Sequence, residues 1–183
     1  MSAALALTAS CTLEDFLHWE PRQEWHYEWD GVQPVAMVGG TARHSELASR
    51  VNDALRAALR GGHCRVFRSN MRVMTERNTR IRHPDLVVTC SPVPPDDQVV
   101  PDPVLIIEVL SETTAGTDRG IKRVEYAALP SLTRYVMLAH DAPIAVVCDR
   151  ADGFRERQED TVLELPEFGV RLPLAELYAG LLP

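Results

Sequence analysis

The sequence predicts an α/β (α+β) protein, a mixed central β-sheet flanked by helices. Three observations carry that reading. The run "VLIIEVL" at 104–110 is almost wholly apolar, as in a strand covered on both faces. The segment "CRVFRSNMRVM" instead alternates, with Phe67, Met71 and Val73 on one parity and Arg68, Asn70 and Arg72 on the other, which describes a half-buried strand. Between about Thr41 and Arg60, Leu47, Val51, Leu55, Ala58 and Leu59 recur at helical spacing, with Thr41 placed to cap the helix and Gly61-Gly62 to stop it.

The remaining elements follow in order. "HYEWDGVQPVAMV" reads as two short strands around an Asp30-Gly31 turn. "ERNTR" is a turn and "HPDLVVTC" a strand. "SPVPPDDQVVPDP" is a loop, because its five prolines cannot sit in a central strand. A Thr-rich turn, which Ser111 and Thr114 would cap, leads into a helix at about Asp118 to Leu129. Strands "RYVMLA" and "IAVVCDR" come next, joined by "HDAP", and a closing strand and short helix end the chain. The length of 183 residues suits a single domain spanning 1–183, with residues 1–24 poorly defined.

The formal charge of −7 conceals a segregation. Residues 1–30 carry six acids and one Arg, whereas residues 60–82 carry seven Arg and one Glu. Such a stripe could guide a polyanion, or it could be the exposed face of strands in an Arg-preferring chain. Cys11, Cys64, Cys90 and Cys148 lie far apart without a C-x-x-C pair, which favours a reduced, cytoplasmic protein over a disulfide or zinc scaffold. "MSAALALTASC" is a weak match to an export signal, since no basic residue precedes Arg22. No segment has the apolar length of a membrane span, so no membrane partner is expected.

The proline-rich loop has a chemical consequence. If the strands on either side of it pair as an antiparallel hairpin, Cys90 lies opposite Pro103 and Asp85 opposite Glu108, with both carboxylates on one face. Two carboxylates so placed repel each other and lose hydration. A shared divalent cation relieves this, and all-oxygen ligation points to Mg2+ (or Mn2+). The spacing also allows an Arg to pair with both, or one acid to be exposed at a strand end. Lys122, the only lysine beside eighteen arginines, lies shortly after Glu108. A metal held by two acids and joined by an ammonium is common equipment for phosphodiester hydrolysis, and Arg is a poor replacement for that lysine.

"HPDLVV", "LIIEVLSETTAGTDRGIKRVEYA" and "RYVMLAHDAPIAVVCDR" together resemble the Uma-two family, a restriction-endonuclease-like branch of the PD-(D/E)XK nuclease superfamily. The likeness covers nearly the whole chain after about residue 25. It implies a restriction-endonuclease-like core, with Asp85 and Glu108 as metal-binding acids and Lys122 as the lysine of the following helix. The superfamily pattern would place lysine at Leu110, so in this family the lysine has moved to the helix.

Further residues keep two readings. His44 faces the core stripe of its helix, as a satisfied structural histidine or, since the family also has a His here, as part of the site. Asp118 suits either a helix-dipole contact, the favoured reading, or the site itself. Tyr126 suits core packing with a partner for its hydroxyl. Glu28 and Glu46 are weaker acidic candidates. The leading expectation is a metal-dependent endonuclease acting on DNA, with Asp85, Glu108, Lys122 and His44 as catalytic residues, Arg-rich strands 65–82 on phosphates, and a homodimer presenting two sites. The alternative is a non-catalytic interaction or nucleic-acid-binding module in which the same acids and Lys122 form a structural ion network.

Overall fold

In the computed structural model, residues 11–37, 39–112 and 114–182 are described. The export-signal reading at the N-terminus therefore falls almost wholly outside the described residues. Among the described residues, twelve strands, β1 (Tyr27–Trp29), β2 (Pro34–Ala36), β3 (Arg65–Arg68), β4 (Val73–Thr75), β5 (Arg80–Arg82), β6 (Leu86–Thr89), β7 (Pro103–Val109), β8 (Arg134–Leu138), β9 (Ala145–Asp149), β10 (Glu156–Glu159), β11 (Val162–Leu165) and β12 (Val170–Pro173), form three sheets. The central six-stranded sheet runs β10-β9-β8-β7-β6-β3, and a four-stranded sheet runs β2-β1-β5-β4. Strands β11 and β12 make a separate hairpin. The central sheet is mixed, because β7 and β8 pair parallel while their neighbours pair antiparallel.

Alternation along the buried strands divides the core in two. Val88, Leu105, Ile107, Val109, Val136 and Leu138 face α2 (Ala42–Ala58), whose Leu47, Val51 and Leu55 are fully buried. Val87, Ile106, Tyr135 and Met137 face the opposite side, where Tyr126 packs. Both faces of β7 are thus covered, and each buried Leu or Ile there contributes about 1.5–3 kcal/mol. Thr41 caps α2, its hydroxyl accepting from the His44 N–H at 3.2 Å.

The helix expected at Asp118 to Leu129 is composite. It comprises α3 (Ala115–Thr117), a π-helical turn (Asp118–Lys122) in which the Arg123 N–H reaches back five residues to the Asp118 carbonyl, and α4 (Arg123–Ala127). The last helix is α5 (Leu174–Leu177). A capped N-terminal helix, α1 (Leu13–Trp19), with Thr12 and Asp15 in a capping box, packs Phe16 against Trp29 and Ile81.

Four expectations need correction. The segment 64–74 is not one strand, since it breaks after Arg68 and its halves join different sheets. "ERNTR" is a turn only as far as Thr79, because Arg80 begins β5. The cysteines are not all free. The β3–β6 register pairs Arg65 with Thr89, so Cys64 faces Cys90 and the two are joined by a disulfide. A bulge between Val88 and Thr89 places Thr89, not Cys90, opposite Pro103. Among the described residues no helix is long and apolar enough to cross a membrane.

Candidate active site

The site forms where β6 begins and β7 ends. Leu86 pairs with Ile107, so Asp85, one residue before β6, lies beside Glu108. The backbone aims both carboxylates. The Asp85 N–H donates to Glu108 Oε2 at 3.2 Å, and the Val109 N–H donates to Asp85 Oδ2 at 2.7 Å. From α2, His44 brings Nε2 to 3.1 Å from the same Asp85 oxygen.

Lys122 enters from the π-helical turn. Its Nζ lies 3.1 Å from Glu28, 3.2 Å from Glu108 and 3.2 Å from Asp118. The Tyr126 hydroxyl, one helical turn on, donates to Glu108 Oε1 at 3.1 Å. Glu28 arrives on β1 because the small sheet places that strand beside β5. There it accepts from Arg82 at 3.0 Å and from the His83 N–H at 3.2 Å. Arg82 forks onto Glu125 at 2.8 and 2.7 Å, and Arg80 joins the same carboxylate at 2.7 Å.

With every acid counted as ionised, and leaving aside the exposed Glu76 that also pairs with Arg80, this network sets five carboxylates, Glu28, Asp85, Glu108, Asp118 and Glu125, against three permanent cations, Arg80, Arg82 and Lys122. The excess is two negative charges, or one when His44 is protonated. Most of these groups are buried. Burial, opposed by Lys122 and reinforced by Asp85, Asp118 and Glu28, pushes Glu108 up to about 8. Burial likewise raises Asp118. Burial works against the Lys122 ammonium, but Glu108, Glu28 and Asp118 outweigh it and hold its pKa well above the ordinary lysine value. The hydrogen bond to Asp85 raises His44 despite burial. Asp118 Oδ1 has the Lys122 ammonium within ion-pair range yet lacks an aligned hydrogen-bond partner among the described residues.

The four residues singled out from sequence, Asp85, Glu108, Lys122 and His44, come together here. Glu28 and Asp118 join them, and Asp118 faces Lys122 rather than serving only the helix dipole. The signal for Asp118 was its position four residues before Lys122. Glu46 lies apart, exposed and paired with Arg50 at 3.0 Å. Gly40 had no sequence signal. A Cβ there would meet His44 Nδ1 at 2.8 Å, so glycine lets the imidazole lie against the backbone.

Three of the six arginines at 65–82, Arg72, Arg80 and Arg82, are engaged in internal ion pairs, contrary to the phosphate-binding expectation for the whole of that segment, while Arg65, Arg68 and Arg77 are exposed. Arg72 pairs with Glu20, Arg82 with Glu28 and Glu125, and Arg80 with Glu76 and Glu125. Arg65 and Arg68, on edge strand β3, are exposed and form no ion pair among the described residues.

Residues 13–178 match the model of the Uma2 family, described as "Putative restriction endonuclease". The chain belongs to the Uma2 family. Two uncharacterized proteins of Synechocystis sp. are similar to this Uma2 chain. One is 31% identical over 173 residues, covering 92% of this chain and 91% of the relative. The other is 26% identical over 137 residues, covering 73% and 77%. A crystal structure described as "a putative nuclease belonging to DUF820", from Anabaena variabilis, superposes with a TM-score of 0.79 at 17% identity, covering 94% of this chain and 99% of the other. At that identity the likeness concerns the fold alone, a mixed α+β architecture with a multi-strand mixed sheet flanked by helices.

Proposed function

We propose that this Uma2 protein is a divalent-metal-dependent endonuclease that hydrolyses phosphodiester bonds in DNA, with Mg2+ (or Mn2+) held by Asp85 and Glu108. The observation that carries the reading is the buried carboxylate excess at the β6–β7 junction. A divalent cation would offset it, and a donor set of carboxylates fits Mg2+ or Mn2+ better than a thiol-seeking metal. When bound, such an ion supplies Lewis-acid activation of phosphate and of water.

The chain's own residues perform the remaining tasks. The backbone N–H groups of Asp85 and Val109 fix the two carboxylates before any ligand arrives. Lys122 stays protonated, because three acids surround it. Its task is therefore to offset charge developing on phosphate and to orient water, and it does not serve as a base. Tyr126 and Asp118 hold that ammonium and Glu108 in register. Asp85 and His44, whose side chains are 16% and 19% exposed, are more open than Glu108 or Lys122, so phosphate approaches from their side. On that approach His44 is positioned to exchange a proton with water or the leaving group. Arg65 and Arg68 supply backbone-phosphate contacts without reading sequence, and a homodimer would bring two sites to two strands.

The alternative, a non-catalytic module on the same fold, draws on one observation: nearly every acid already has a cationic or backbone partner. Incubating supercoiled plasmid and single-stranded DNA with wild type, Asp85→Ala and Lys122→Ala, with Mg2+ or with chelator, separates the two. Mg2+-dependent nicking by wild type alone supports the nuclease. Absence of cleavage and of metal binding by the wild type leaves the module.

A further inference from the structure

The opposite end of β6 carries a second constellation, independent of the acidic network. Cys64 and Cys90 face each other across the β3–β6 pair with Cα atoms 3.9 Å apart. Antiparallel pairing sends both side chains to one face of the sheet. His63 immediately precedes Cys64, in the turn that follows α2. One ligand atom from each of His63, Cys64 and Cys90 lies within 4.8 Å of the others. His63 is exposed and both cysteines are half-buried residues, so the group lies at the protein surface. The other two cysteines differ, since Cys11 lies in the N-terminal segment and Cys148 is buried in the core.

We infer that His63, Cys64 and Cys90 form a zinc site that opens when the Cys64–Cys90 disulfide is reduced. Two thiolates and one imidazole are a typical zinc donor set, which leaves a fourth position for water. Donors held at Zn–S of about 2.3 Å and Zn–N of about 2.0–2.1 Å stand roughly 3.5–3.8 Å apart in a tetrahedron. The three donor atoms already lie within 4.8 Å of one another, and reduction frees the two bonded sulfurs to separate toward that spacing.

The two states exclude each other chemically. A dithiol reductant supplies two electrons and two protons, the S–S bond breaks, and two thiols form while the reductant closes to its own disulfide. Zinc binding then displaces both thiol protons. Either state ties edge strand β3 to β6, by a covalent bond when oxidised and by the metal when reduced.

The test is anaerobic titration of Co2+, then Zn2+, into the full-length protein, following the thiolate-to-cobalt charge-transfer absorption that carboxylate ligation does not produce. Reduced wild type is expected to bind one equivalent of Co2+ with that absorption and to lose it to Zn2+, while oxidised protein shows none. Cys64→Ser and Cys90→Ser abolish the signal. His63→Ala, a change at an exposed side chain that leaves folding intact, weakens binding by roughly tenfold or more. The inference is overturned if reduced wild type gives no thiolate absorption, if the absorption persists in Cys64→Ser, or if His63→Ala binds as tightly as wild type.

Discussion

Replacing Lys122 by Met probes the network at its centre. The side chain is about one-tenth exposed, and its Nζ is the shared partner of Glu28, Glu108 and Asp118 at 3.1–3.2 Å. The substitution keeps the volume and removes the charge, leaving three buried carboxylates with one partner fewer. Removing one side of a buried ion pair costs about 3–5 kcal/mol. At about 2–4 °C per kcal/mol for a domain of this size, melting should fall by roughly 6–20 °C in chelator at neutral pH. The deficit should shrink when Mg2+ is added, because the ion replaces the lost positive charge, and also in mild acid, where the stranded acids take up protons. Lys122→Arg, which keeps the charge, should melt closer to wild type and still fail to cut DNA, since its planar fork cannot reproduce a compact ammonium. Thermal melts of the three proteins with and without Mg2+ provide the readout. A Met variant that melts within 2 °C of wild type, a figure below the roughly 6 °C minimum above, would refute the reasoning, as would a deficit indifferent to Mg2+.

Other outcomes follow from the same geometry. Gly40→Ala should lower cleavage strongly with little loss of stability, because the new Cβ displaces the His44 ring, which melting and nicking assays on one preparation will show. Arg68→Ala should weaken a salt-sensitive gel shift while melting normally, whereas Arg72→Ala should destabilise the fold by breaking its buried pair with Glu20. With Glu108 raised to about 8 from an ordinary value of 4.5, the folded chain holds a proton that the unfolded chain releases. Glu108 should therefore make metal-free stability fall as pH rises between about 4.5 and 8 and level off above, with His44 acting in the same direction, and Mg2+ should stabilise most at the upper end. A flat melting profile over that range in chelator would contradict this.

The parts of the fold legible in the sequence are those whose signal is local or follows from one pairing. The apolar run of β7, the capped stripe of α2 and the hairpin register that sets Asp85 beside Glu108 all belong here. Features that arise from tertiary pairing were not legible. Strands β5 and β10 are polar, "RIR" and "ERQE", and are strands because neighbours hydrogen-bond to them. The disulfide depends on the β3–β6 register, which no local pattern announces. Arg72, Arg80 and Arg82 read as part of a surface stripe because their partners Glu20, Glu28 and Glu125 are distant in sequence and meet them only when the small sheet folds. Of the site, Asp85, Glu108 and Lys122 were visible as residue types at telling positions. The role of the π-helical turn in carrying both Asp118 and Lys122 to Glu108 was not.

The most direct test of the central claim, that the carboxylate excess is a divalent-cation site, is a Mn2+ binding titration of chelator-treated protein alongside Asp85→Ala and Glu108→Ala. One Mn2+ per wild-type chain, with Mg2+ competing and both variants binding none, is the predicted result. Wild type that binds no Mn2+, or variants that bind it undiminished, would contradict the account.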